Sequence, residues 1–572
     1  MRSPQPLVRR ILRWRQNSTV FLSPLILFTA LLLFNPNAAA GQDVPGNQPT
    51  SIHGTVINSV TRDPISRALV HSADNRYAMF TDNEGNFDFT LPPSQVEQTE
   101  SGSVLLLARK PGFLDVPQNG IDPRSVPDRQ ITIALIPEAL IRGRVTTSGG
   151  DPAVGINVQL FSRQVQDGLP RWGAGATTQT NSNGEFRFAE LSAGAYKLVT
   201  NELLDTDPAT VMPRIQPYGF PPVCYPGVDD FSAATTIQLA AGETFQADVA
   251  LTRKPYYSVR IPVAGEFVNG INVTVSVQGH RSPGYSLGYN QEEHRLEGLL
   301  PNGNYQVEGD SFGPGVASGI VNIAVAGKTV EGPAMVITDS APIKVNVSEQ
   351  FSSPDTVAGA GRWSDGKHTF TYSGARLYLQ ISPVLVDDFG PPRNASIRPP
   401  TKQEDNELVL EGLAPGRYWL RFNSSRGYVA SATMGSVDLL HQPVVIGQGS
   451  SSPIEVTMKD DDAELEGSLA AFSGTGKKGA RDVSSSNPPV VYCVPLSDGP
   501  GQFQQIWISD GKFDLQKVAP GNYLVLAFSS PQADLPYRDA EAMKAYESQG
   551  QIVHLQPGEK KTLQLSVISP KS

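Results

Sequence analysis

His294 and Glu297 stand in the spacing His-x-x-Glu, which a zinc-ligand pair can adopt. They fall in a stretch that reads as a strand entering a turn. Positions i and i+3 of a strand point to opposite faces, so the two side chains do not converge on one ion and no metal site is expected. Asp82-Asn83-Glu84-Gly85 and Asn181-Ser182-Asn183-Gly184 offer oxygens that calcium would accept. Neither has the full acidic loop closed by a distant bidentate Glu, and tight-turn chemistry accounts for both. No cofactor is implied. No nucleophile elbow, Walker loop, HExxH helix or dinucleotide turn is expected. Paired carboxylates for glycosidic cleavage have no characteristic spacing, because the fold sets them. The expectation is a chain with no catalytic residues.

Aromatic rings remain as candidates, since a flat ring stacks on the face of a sugar. Trp172 in GLPRWGAG and Trp363 in AGRWSDG fall outside any clear strand, and Tyr218, Phe220 and Tyr225 share one proline-rich loop. These five are the candidate ligand-binding residues; the alternative is that they pack their loops against the ends of the domains. Tyr418 and Trp419 are adjacent on one strand, so one faces a core and the other faces outward or a junction. Cys224 and Cys493 are too far apart to form a disulfide framework and read as buried apolar packing.

The elements that must position these rings repeat along the chain. GEFRFAELSAGAYKL (184–198), RLEGLLPNGNYQV (295–307), LVLEGLAPGRYWL (408–420) and GKFDLQKVAPGNYLVLAF (511–528) each give a strand, a turn and Gly-x-Tyr opening a second strand. Phe186 to Tyr196, Leu408 to Tyr418 and Phe513 to Tyr523 are ten positions apart, whereas Leu296 to Tyr305 is nine, a difference of one β-bulge residue. Recurrence at domain-sized intervals signals an array of one module.

Residues 1–40 carry five arginines and no acid, then an apolar run from Val20 to Phe34 and Ala38-Ala39-Ala40, which reads as an export signal cut after Ala40. An uncleaved anchor is the alternative. Export places the chain in the periplasm, at the cell surface or outside the cell, with no membrane span after cleavage. Loss of the five arginines takes the formal charge from −10 to −15. An acidic chain without a run of Lys/Arg is a poor binder of phosphate backbones, so nucleic acid is not an expected partner.

From Ser51 the chain reads G-x-V at Gly54 to Val56, Pro64, A-x-V at Ala68 to Val70, then TDNEGNF and ARKPGF. These motifs resemble the carboxypeptidase regulatory-like domain, and IRGRVTTSGGDPAVGINVQLFS (141–162) with TNSNGEFRF reopens them. The resemblance implies a transthyretin-like, seven-stranded β-sandwich that is non-catalytic despite its name, with carbohydrate-binding relatives. Later stretches are similar to secreted bacterial proteins built wholly of such modules. The expected fold is all-β, a tandem array of about five sandwiches over 51–137, 138–254, 255–339, 340–460 and 461–572. A short helix at 540–547, capped by Asp539, forms a lid over one sandwich edge. Very short linkers favour a semi-rigid rod, and long loops fall at 203–230, 352–373, 386–406 and 471–488. The leading functional expectation is carbohydrate or cell-envelope binding; the alternative is a protein-interaction rod or adhesin-like scaffold joined through sheet edges, and an unrecognised hydrolase is a remote third.

Overall fold

Gly54, Gly143 and Gly467 each stand directly across an antiparallel pair from a phenylalanine, Phe87, Phe186 and Phe513. The ring lies over the glycine while the next strand closes from the other side. A Cβ at Gly143 would come to 1.8 Å from the Ala247 carbonyl oxygen and 2.8 Å from the Phe186 ring. Only hydrogen fits.

The computed structural model describes residues 50–568 apart from 92–104, 116–119, 122–129, 206–215, 266–269, 278–279, 282–283, 312–316, 353–358, 387–394, 448, 450, 471–487, 497–498, 509–510 and 533. Residues 1–40, read above as an export signal, and most of the 471–488 loop lie outside these residues. The chain is nearly all β, in many sheets. One pairing recurs five times. An opening strand pairs antiparallel with a later hairpin strand and parallel with the closing segment. The opening strands are Thr50–Asn58, Ala139–Thr147, Lys254–Ala264, Ile343–Gln350 and Ala463–Ala470. Alternate residues of these strands point inward, giving cores that run from Ile52 to Leu135, Ala139 to Leu251, Val259 to Ile337, Ile343 to Met458 and Ala463 to Leu565.

All four Gly-x-Tyr tyrosines are buried, and each hydroxyl donates to the carbonyl four residues upstream. Tyr196 reaches Ser192 at 2.8 Å, Tyr305 reaches Pro301 at 3.0 Å, Tyr418 reaches Ala414 at 2.8 Å and Tyr523 reaches Ala519 at 2.6 Å. The bond ties the turn back onto the strand that follows it. Six residues before Tyr196, Tyr418 and Tyr523 stand Glu190, Gly412 and Lys517, all at positive φ, and the register shifts beside the first and last of them. The ten-residue copies thus carry the extra bulge residue, and the nine-residue copy pairs without a shift.

Several expectations are corrected. Trp172 lies on the strand Leu169–Gln179 and Trp363 on Gly361–Ser364, not in loops. Side chains with few apolar neighbours in sequence hid both strands. The helix Ala540–Glu547 is capped as expected, Asp539 accepting from Glu541 and Ala542 N–H at 3.1 Å. It covers a sheet face rather than an edge, because Met543 and Leu535 pack on Val490, Tyr492, Leu524 and Leu526. Strand Gly521–Phe528 is consequently buried on both faces. Phe161, Val199, Cys224 and Phe231 form a similar outer layer on the second segment. Both cysteines are free and buried, and burial pushes the Cys224 thiol up to about 12.

Replacing Tyr523 by Phe keeps the ring and leaves the Ala519 carbonyl without its donor. We expect a loss of about 1–2 kcal/mol, read as a lower urea midpoint with an unchanged slope. An unmoved midpoint would mean that the hydroxyl contributes nothing.

Candidate functional site

The longest hairpin among the described residues, Asn157–Gln166 with Leu169–Gln179, turns through Asp167 at φ 53° and Gly168 at φ 76°. Two central residues of left-handed backbone make the Asp-Gly turn that suits the twist of paired strands. Its tip reaches two distant segments. Asp167 Oδ1 meets the Arg421 guanidinium at 2.6 Å and accepts from the Tyr537 hydroxyl at 2.7 Å. Arg538 donates through Nε to the Asp167 carbonyl at 3.0 Å and approaches Oδ2 at 3.4 Å. Gly168 lies against the Tyr537 ring, where a Cβ would come within 2.8 Å.

Asp167 is 10% exposed and Arg538 15%, so this ion pair is largely withdrawn from water. The aromatic rings explain how it is held. Arg538 lies 4.8 Å over Trp419, while Tyr537 stacks on Phe503 at 3.7 Å. Burial, followed by the Asp167 charge, pushes the Tyr537 hydroxyl up, so it stays a donor. Trp419 therefore faces a junction while its neighbour Tyr418 is fully buried. Beside this node opens a cavity of about 350 Å³ lined by Trp419, His441, Leu496, Tyr537, Met543 and Lys544. The second segment is thus bonded to both the fourth and the fifth, beyond its neighbours in sequence.

A second junction joins the second and third segments. Leu203–Leu204 pairs with Tyr218–Phe220, which pairs in turn with Lys254–Ala264, so the second segment adds strands to the sheet of the third. Arg253 lies 4.2 Å over the Tyr218 ring and forms an ion pair with Asp205. Beneath this seam sit Asn201, Glu202, Tyr256, Tyr285 and Tyr305. Asn201 Oδ1, Glu202 Oε1 and Tyr256 Oη are buried without a hydrogen bond of ordinary geometry. Burial pushes the Glu202 carboxyl up to about 7, with nearby Tyr256 acting in the opposite sense.

The five candidate aromatics do not converge. Trp172 packs edge-on to Phe231, with Lys197 5.1 Å over its ring. Tyr218 lies in the seam. Phe220 and Tyr225 pack on the second core, and Tyr225 meets Phe245 at 5.9 Å. Trp363 stacks on Phe370 at 6.0 Å in a two-stranded hairpin that joins no other sheet among the described residues.

His294 precedes its strand at φ 48°, and Glu297 is engaged by Arg295 at 2.8 Å and Asn290 at 3.0 Å. Among the described residues no group of three His, Cys, Asp or Glu side chains could hold a metal. Asp82 and Asn181 accept from backbone N–H groups of their own turns. The expectation of no nucleophile elbow overlooked two stretches spelled G-x-S-x-G, Gly284 to Gly288 and Gly309 to Gly313. Ser286 lies just before the short strand Gly288–Asn290. Ser311 ends the strand Gly303–Ser311, and its hydroxyl accepts from Ala317 N–H, which opens another strand. An elbow needs a strand-to-helix turn. Gly474 to Gly479, spelled G-x-G-x-x-G, lies outside the described residues.

Replacing Glu202 by Gln tests the seam. A folded pKa near 7 against an ordinary 4.5 means that the fold prefers the protonated acid. The contribution is complete below pH 4.5 and is lost as pH rises through 7. Above pH 7 the variant should therefore be more stable than the parent by roughly 1–3 kcal/mol, with the difference vanishing in acid. A difference that does not change with pH would reject a buried acid.

No curated protein is found to match the chain. Solved structures that overlay parts of it include a Streptococcal ancillary pilin, at 12% identity over 50% of this chain and 99% of that one, with a TM-score of 0.17. The pilus adhesin SpaC of Lactobacillus rhamnosus GG shares 12% identity over 51% and 43%, at 0.17. The Bacillus anthracis TIE protein shares 11% over 91% and 100%, at 0.13. Overlays this slight carry no argument about function. The family model that matches is that of the carboxypeptidase regulatory-like domain, over residues 140–252, the stretch holding the Gly143–Phe186 pair, the Tyr196 bridge and the Asp167 hairpin.

Proposed function

We propose that the chain is a non-catalytic scaffold of five β-sandwiches, bounded near residues 137, 254, 339 and 460, that acts at the cell surface or outside the cell. The observation that carries this reading is the Asp167 node, where one hairpin holds two other segments through a sheltered ion pair, a tyrosine hydroxyl and stacked rings. Such contacts hold binding faces at fixed separations, which is what a scaffold or adhesin requires and independent beads do not supply. Among the described residues no helix is long and apolar enough to cross a membrane.

A second reading, glycan binding at the Trp363 hairpin, is favoured by one observation. Trp363 and Phe370 stand opposite each other, His368 stacks on Phe370, and Tyr372 covers Gly361, so rings follow one another along a single hairpin face. Sugar chains stack on rings arranged in this way.

Scanning calorimetry tests the scaffold. The parent should unfold in one dominant transition. In Asp167→Ala, which leaves Arg538 sheltered and unpaired, a separate transition should move several degrees lower. Independent melting of the parent's segments would sink the locked scaffold. For the second reading, a neutral polysaccharide panel should show saturable binding that Trp363→Ala weakens at least tenfold; binding that is absent or unchanged removes the hairpin as a glycan site.

A further inference from the structure

The outer face of the first segment gathers cations that are scattered in the sequence. Strands Ala78–Phe80, Leu69–Ser72 and Leu106–Arg109 form a three-stranded sheet in which Phe80, Leu69 and Arg109 are in register. Val70 and Leu106 belong to the core, so the row with Leu69 looks outward. Phe80 is 65% exposed. Arg67, Arg109 and Lys110 surround this row in an open depression of about 350 Å³, with Phe113 behind and Asp115 the one acid among its described lining residues. Lys110 Nζ is held by the Ser66 carbonyl at 2.7 Å. Arg67 and Arg109 have no ion pair or side-chain hydrogen bond among the described residues. The chain has no run of Lys/Arg, and the fold makes a cluster by bringing positions 67 and 109–110 together.

We propose that this face binds a carboxylated sugar polymer, of the kind built from uronic acids. Phe80 and Leu69 supply an apolar platform for the C–H face of a sugar ring, and the free guanidinium forks of Arg67 and Arg109 match a carboxylate. The direction of the row selects a glycan over an acidic peptide. A peptide adding to the Ala78–Phe80 edge would run along the strands, whereas Phe80, Leu69 and Arg109 lie across them over about 10 Å. Charge sets the polarity. On its other side Phe80 borders a depression with Asp82 and Asp88, so the ligand's carboxylates lie toward Arg109. The net charge, −10 for the whole sequence and −15 without residues 1–40, opposes polyanions, so binding must come from this local cluster of cations.

The proposal goes beyond the scaffold reading, which calorimetry tests separately. Titration calorimetry with polygalacturonate, the same polymer methyl-esterified, and polyglutamate decides it. We expect saturable, salt-sensitive binding of polygalacturonate, no binding of the esterified polymer, and at least tenfold weaker polyglutamate binding. Phe80→Ala and Arg109→Ala should each weaken polygalacturonate binding at least tenfold, and Arg109→Lys less. Both side chains are exposed, and an unchanged circular dichroism melt in each variant shows that folding is intact. No polygalacturonate binding, equal binding of polyglutamate, or binding unaltered by both alanine variants would overturn the proposal.

Discussion

A tyrosine hydroxyl bonded to the carbonyl four residues before it is the contact on which the second to fifth segments turn. The turn must reverse the chain between two strands that both enter the core, and a buried carbonyl there would lack a partner without that donor. Where the turn carries an extra residue, a left-handed position at Glu190, Gly412 or Lys517 takes it up upstream, leaving tyrosine and acceptor in the same relation. The Gly–Phe pairs act at the other end of the hairpin strand. Ring over glycine lets opening, hairpin and closing strands approach as one sheet.

With that frame repeated, the differences between segments lie in what they add outside it. The second segment extends its hairpin to Asp167 and sends a loop strand onto its neighbour. The fifth lays a helix across its own sheet. Both additions bury a strand on two faces, Gly194–Thr200 and Gly521–Phe528, and both bring aromatic side chains to a junction. The added layers also bury charge: Lys197 is held by the Phe231 carbonyl beneath Trp172 within the second segment, and Asp167 pairs with Arg538 where segments meet. Glu202 is the opposite case, an acid enclosed by the seam without a complete set of partners.

The frame was legible in the sequence because it is local: Gly-x-Tyr, Asn-Gly and Asp-Asn-Glu-Gly turns, and alternating strands act over ten or fifteen residues. The helix cap at Asp539 was legible for the same reason. The ring environments were not. Trp172 and Trp363 read as loop residues because their strands carry little alternation, and neither sequence position states that Phe231 or Phe370 will lie against it. Serines in G-x-S-x-G lettering likewise acquire meaning only from the element that follows them, which here is another strand.

By itself the sequence determined an all-β chain with a recurring turn, since hydrophobic period, turn residues and capping are set by near neighbours. Tertiary structure decided which distant groups meet. Asp167 finds Arg421, Tyr537 and Arg538 across some 250 to 370 positions, and Arg67 finds Arg109 across a sheet. Strand pairing and packing choose such partners by geometry, and no spacing along the chain encodes them.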